Sequence, residues 1–358
     1  MMPARPSSLA IRRAVPVAVV AAAALGLALT GCSGSPDEAD SRKVTLVVHD
    51  AFPNEEFAKA ASAATGYDVE VITGGEGGEL TNKLVLTRGA PIADAFYGVD
   101  NTYASRLIEN DVVEPYTPEG LPASADEYAF DGSGSLTPVD VGATCINIDT
   151  EWFAEHGIAE PSSYEDLARP EYRDLSVLLD PLSSSTGGSF LIGTVAEFGE
   201  DGYLDYWQRL LDNGARLEQN WSDAYYGQFS AASDGDRPIV LSYSSSPVAT
   251  LNDDGTASSS RALLDTCTSE VEYAGVLAGA ANAEGARAVV DYLVSSEFQA
   301  TIPDTMYMYP VDADAGLPET WAEFAPMPSR EQLRDLPASE VDAGREGWLK
   351  RLGEQIGL

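Results

Sequence analysis

The sequence is poor in metal-binding side chains and in positive charge. Two histidines and three cysteines stand in 358 residues, so a zinc site of Cys and His ligands has little to draw on; no metal site and no cofactor are expected. Lys and Arg total 21 against 57 Asp and Glu, for a net charge of −36. Such a field opposes nucleic acids and anionic membranes and favours cationic ligands at long range. The acids are spread along the chain, and most of them read as a solvated surface. Catalytic signatures are also missing. No G-x-S-x-G elbow is present: Gly132 to Ser135 gives GSGS, and Gly187-Gly188-Ser189 has Leu191 where the second glycine would stand. A G-x-x-x-x-G-K phosphate loop is absent as well. His49-Asp50 and the many serines are what remains of a hydrolase reading.

Long apolar runs are lacking except one. Arg5, Arg12 and Arg13 precede AVPVAVVAAAALGLALT, which leads into Gly31-Cys32. The run is shorter than the roughly 20 residues of a membrane span, and with its positive flank it describes an export signal over 1–31. The ending Leu29-Thr30-Gly31-Cys32 looks like a bacterial lipobox, in which cleavage leaves Cys32 as a lipid-carrying N-terminus. Residues 32–43 then read as a polar tether. The expected product is an exported protein, lipid-anchored on the outer face of the cell membrane. Cys145 and Cys267 remain, and in an exported protein two cysteines pair more often than not; a disulfide is expected, with two buried free thiols as the alternative.

The folded part alternates strands and helices. Strands are expected at 43–49, 67–73, 92–98, 176–180, 238–243 and 270–278. Helices are expected at 54–64, 79–88, 189–198, 203–213, 223–232, 284–294 and 340–355. This order argues for parallel, helix-covered sheet, with ligands at the loops after the strands. Two α/β lobes, one inserted in the other, are the economical arrangement: 44–141 with 272–358, and 142–271. The chain would cross near Val139 to Gly142 and return near Thr268 to Tyr273, with the ligand cleft between the lobes.

Three blocks then carry a likeness: NWSDAYYGQF (220–229), VLSYSSSP (240–247) and IPDTMYMYPV (302–311). GELTNKL (78–84), YGVDN (97–101), LDPLSSSTGG (179–188) and SSEFQ (295–299) support them in order. The chain resembles the type II periplasmic-type substrate-binding proteins of ABC transporters, and most closely their thiamine-binding members. The resemblance implies a two-lobed fold, each lobe a helix-covered mixed sheet. It implies a monomer that delivers its ligand to an ABC permease in the membrane. It also implies ligand contacts at Glu76 and Gly77, Ser184 and Ser185, Trp221, and Tyr243, Ser244, Ser245 and Ser246. Glu76 stands where an aspartate is expected, which keeps the charge and lengthens the arm.

The residue types suit thiamine or a thiamine phosphate. A flat cation stacks on aromatic faces; Trp221, Tyr243, Tyr225 or Tyr226, and Tyr307 or Tyr309 are candidates, with core packing as the alternative for the last two pairs. Ser246-Pro247 and Ser183 to Ser185 read as helix starts, whose hydroxyls and N–H groups suit hydroxyl or phosphate oxygens. Asp50, Asp100 and Asp140 end strands or lie on the crossing segment, with Asp140 the preferred carboxylate for the pyrimidine amino group or the thiazolium. Ferric iron is the rival ligand in this architecture, but adjacent tyrosines are needed where Tyr243-Ser244 stands. Polyamine or phosphonate binding would fit the same fold. Binding without catalysis is the expected activity.

Overall fold

A computed structural model describes residues 42–357. The expected export signal, Cys32 and the tether up to residue 41 lie outside the described residues. No described helix is long and apolar enough to cross a membrane.

Strands β1 (Lys43–Val48), β2 (Asp68–Thr73), β3 (Ala95–Asp100) and β4 (Val113–Glu114) precede the 13-residue β5 (Thr137–Asp149). Strands β6 (Ser176–Leu179), β7 (Arg216–Glu218), β8 (Ile239–Tyr243) and β9 (Ser260–Ala262) precede β10 (Thr268–Leu277), and β11 (Tyr309–Pro310) comes last. They form one mixed sheet in the order β2-β1-β3-β10-β5-β8-β6-β7, with β4 beside β10 and both β9 and β11 beside β5. β1 runs parallel to β2 and β3, and β6 parallel to β7 and β8. The joint is antiparallel. β10 pairs with β3 and with the first half of β5, whose second half pairs with β8. β5 and β10 therefore lie side by side at the joint between the two halves.

Each half has its own core, which makes the molecule a two-lobed α/β protein. One core gathers Val44, Leu46, Phe57, Tyr97, Val276, Val290 and Phe298. The other gathers Ile146, Leu178, Phe190, Trp207, Val240 and their neighbours. The helix Ala338–Ile356, expected with the first lobe, sends Trp348 and Leu352 into that second core. Its Arg345 donates to the Thr102 carbonyl at 2.5 Å on the first side. The closing helix thus spans both halves.

Local chemistry sets the element ends. Asn54–Thr65 stops at Gly66, which takes φ 76° and returns its N–H to Ser62 O at 3.1 Å. The two helices expected between 189 and 213 lie within Ser185–Asp212 and are separated by a kink at Gly199 (φ 73°, ψ 170°). Strand β3 lies three residues later than expected, because Ile92 is exposed and the buried run begins at Ala93. No full helix follows Ser246-Pro247: the turn Ser246–Thr250 is 3₁₀, and its preceding Ser245 makes no side-chain cap.

Cys145 and Cys267 form a disulfide, S–S 1.95 Å, with both residues buried. It ties β5 to the entry of β10.

Candidate functional site

A cavity of ≈ 210 Å³ opens where the loops after the strands meet the crossing. One wall is aromatic. Asn220 caps the helix Trp221–Gly227 by accepting from Asp223 N–H at 2.8 Å, and this turn presents three rings. Trp221 stacks on Tyr225 (4.9 Å, 15°) and meets the edge of Tyr226 (5.3 Å, 86°). Tyr226 is 53% exposed, while Tyr225 is buried and donates its hydroxyl to Ser246 O at 3.1 Å. Tyr243 stands across from Trp221 at 6.3 Å. Tyr307 and the thioethers of Met306 and Met308 complete the apolar lining.

The serines of LSYSSSP serve this wall more than they face the cavity. Trp221 Nε1 donates to Ser242 Oγ at 2.9 Å, Ser242 and Ser246 share a hydrogen bond of 2.7 Å, and Ser246 Oγ accepts from Tyr243 N–H at 3.1 Å. Ser246 also lines the cavity. Ser245 donates to the Tyr307 carbonyl, and Ser244 is buried, its N–H on Ala143 O at 2.8 Å. The chain ends β8 in serines because hydroxyls lock the indole, one tyrosine backbone and the 307 turn together.

The opposite wall is polar. Glu76 precedes the helix Gly77–Leu86 and accepts from Trp221 N–H at 3.2 Å, bridging the two halves. Burial, offset in part by that hydrogen bond and reinforced by Asp50 and Glu79, raises its carboxyl to about 7. Gly77 is needed for closeness: a Cβ there would lie 1.9 Å from Ser185 Oγ. Ser185 and Thr186, at the start of Ser185–Asp212, line the cavity, whereas Ser184 caps that helix, accepting from Gly187 N–H at 3.4 Å. The hydroxyl reaching the cavity is thus one position later than the first serine of the expected pair.

Behind the cavity lies a row of acids. Glu272 on β10 is paired in register with Asp100 on β3 and with Asp140 on β5, and Glu270 precedes it by two residues on the same strand. All four are buried, and Glu272 alone of them lines the cavity. Burial first, then Glu272, pushes Asp140 well above the usual carboxylate range; burial and Asp100 do the same to Glu270. Asp140, the preferred carboxylate, sits one layer behind the lining. Asp50 is exposed at the rim and accepts from Gly75 N–H at 3.2 Å. Tyr309 faces elsewhere, edge-on to Trp321 at 4.8 Å with its hydroxyl on the Ala325 carbonyl. Among the described residues no group of three or more His, Cys, Asp and Glu is arranged to hold a metal.

Residues 90–335 match the model of the bacterial extracellular solute-binding protein family. The chain belongs to that family. This solute-binding protein is 24% identical over 313 residues to the thiamine-binding periplasmic protein of Escherichia coli (strain K12), spanning 86% of this chain and 91% of the relative. It is 26% identical over 349 residues to iron uptake protein A1 of Synechocystis sp. (strain ATCC 27184 / PCC 6803 / Kazusa), spanning 89% and 93%. A solved structure described as a periplasmic thiamin binding protein superposes with TM-score 0.75 at 22% identity, over 88% of this chain and 96% of that one. The likeness in structure establishes the shared fold.

Within this solute-binding protein the cavity also takes in His49, Thr186, Thr305, Met306, Met308 and Glu272, none of them expected from the sequence as a ligand contact. Glu272 had a signal. The stretch T-S-E-V-E-Y-A-G-V places two glutamates two apart in an otherwise apolar strand, so both point to one face of a buried sheet.

Proposed function

We propose that this protein captures thiamine, or a thiamine phosphate, outside the cytoplasm and delivers it to an ABC permease without chemical change. The observation that carries the reading is the pairing of aromatic faces (Trp221, Tyr226, Tyr243, Tyr307) with two carboxyls (Glu76, Glu272) in a cavity whose lining includes neither Lys nor Arg. A flat aromatic cation is stabilised by such faces, by about 0.5–2 kcal/mol each as water is excluded, and its charge is balanced by the carboxyls. A phosphonate, which has no flat cationic ring, gains nothing from these aromatic faces and carboxyls. The N-terminal turn of Ser185–Asp212, with Ser185 and Thr186, suits the hydroxyethyl tail or its phosphate.

The lobes close over the ligand by motion about β5 and β10, and the closed form docks on the permease. In this proposal the protein acts as a monomer, exported and held at the membrane by lipid on Cys32. Calorimetric titration tests the ligand: one-to-one saturable heat with thiamine supports the reading, and no heat refutes it.

Ferric iron is the second reading. Its favouring observation is the closeness of three phenols: after burial, Tyr226 and Tyr307 raise the proton affinity of Tyr225, and Tyr307 raises that of Tyr226. Tyr225 is occupied by Ser246 O, which leaves two. A purple iron–phenolate absorption on adding ferric citrate would select iron over thiamine.

A further inference from the structure

The row of acids at the crossing strands contains a proton that the cavity's chemistry has not used. A phenol carries one hydrogen. Tyr97 OH lies 2.5 Å from Asp140 Oδ2 and 2.7 Å from Glu272 Oε2, and it can donate to only one of them. At the other contact two oxygens meet at hydrogen-bond distance, and the hydrogen between them must come from the carboxyl. One of the two carboxyls is therefore an acid that donates to the phenol oxygen. All three side chains are buried, and like charges directly opposite across strands are unfavourable, so the pair retains this proton for two independent reasons.

Glu272 connects the triad to the ligand space. Its Oε2 faces Tyr97, while its Oε1 lies 3.7 Å from His49 Nε2, which makes no hydrogen bond. Both Glu272 and His49 line the cavity. The groups facing the triad are His49 after β1, Tyr97 and Asp100 on β3, Asp140 on β5, and Glu270 on β10, with Glu76 and Tyr243 nearby across the cavity. His49 is the basic side chain that reaches them.

We propose that the cavity exchanges a proton for its cationic ligand: the ligand's positive charge settles against Glu272, and the proton shared among Asp140, Tyr97 and Glu272 leaves to solvent. Charge balances, since two carboxyls with one proton become two carboxylates with one bound cation. The inference rests on the thiamine reading of the site and adds its regulation and its charge selectivity. Burial and Glu272 hold the Asp140 proton in the free protein, and a cation within about 4–6 Å lowers such a carboxyl by about 1–3 pKa units. An uncharged ligand supplies nothing to replace the proton and leaves it in place.

The test is thiamine titration by calorimetry in two buffers of different ionisation heat, between about pH 6 and pH 8. Below about pH 7 up to about two protons released per thiamine are expected, one from the triad and one from Glu76, with affinity rising as pH rises, by up to about tenfold per unit for each proton released. In Glu76→Gln, which removes the other titrating carboxyl of the cavity, release of up to about one proton persists, and adding Asp140→Asn abolishes it. The half-molecule 4-amino-5-hydroxymethyl-2-methylpyrimidine, tested at about pH 8 where it is uncharged, binds without release. Thiamine heats that do not depend on buffer overturn the exchange while leaving the vitamin reading intact; no heat at any pH sinks both. Infrared spectroscopy of the ligand-free protein needs no variant to fold. A protonated-carboxyl band at about pH 8 that fades on saturation with thiamine supports the shared proton, and a spectrum without that band overturns it.

Discussion

Replacing Trp221 by alanine removes the ring on which the aromatic wall is built. The indole is half-buried, stacked on Tyr225 and held by one hydrogen bond to Ser242. Ser242 keeps its bond to Ser246 when the indole is gone, so no buried hydroxyl is stranded. The loss falls on the ligand: about 0.5–2 kcal/mol of cation–π attraction and about 0.5–1.5 kcal/mol of ring stacking. Together these come to about 1–3.5 kcal/mol, or a weakening of thiamine binding by about five- to several hundredfold. Trp221→Phe, which keeps a ring without the N–H, should recover most of that. Calorimetry on both variants, with a thermal melt to establish that each is folded, reads the effect. A folded Trp221→Ala protein that binds thiamine within twofold of the parent would refute the stacking argument.

Three further outcomes are expected. Glu76 holds its proton to about pH 7 in the folded chain against 4.5 in its ordinary state; stability therefore falls as pH rises between those values, by at most about 3 kcal/mol. Thermal melts of Glu76→Gln across that window should show a flatter pH profile, and a profile parallel to the parent's would count against the buried acid. Gly77→Ala sets a methyl against Ser185 Oγ and should cost about 1–3 kcal/mol of stability, with partial rescue by Ser185→Ala in a double-mutant cycle; independent, additive effects would show that the two do not touch. Cys145→Ala with Cys267→Ala opens a loop of 122 residues and should lower unfolding free energy by up to about 5 kcal/mol, measured by urea denaturation. An unchanged midpoint would mean that the bond does not constrain the unfolded chain.

The parts of the molecule that were legible in the sequence are those set by local periodicity. Phe57 and Ala61 share one helical face and both are buried, while Ala64, expected on the same face, is exposed near the helix end. Local signals were less reliable where distant groups decide. Ser246-Pro247 reads as a helix start, yet Ser246 Oγ is taken by Tyr243 N–H and Ser242, so it cannot cap a following turn. Tyr309 and Tyr307 look interchangeable two residues apart. Tyr309 lies on β11 and meets Trp321, while a left-handed backbone at Tyr307 (φ 55°), ahead of the strand, puts the other in the cavity. The triad was invisible for the same reason. Tyr97, Asp140 and Glu272 belong to three separate strands, and only the register of β3, β10 and β5 brings them together. Glu76 was found through resemblance, but its bond to Trp221 N–H depends on how the lobes meet, which no local pattern encodes.

The Cys145–Cys267 bond also decides how force and cutting are borne. Both ends of the chain lie outside the loop that it closes, so tension applied between them would run from residue 145 through sulfur to residue 267. The stretch between, which holds Trp221, Ser185 and Tyr243, would carry none of that covalent load until the bond is broken. A peptide bond cut anywhere in the loop would likewise leave a single molecule, its two fragments still joined through sulfur.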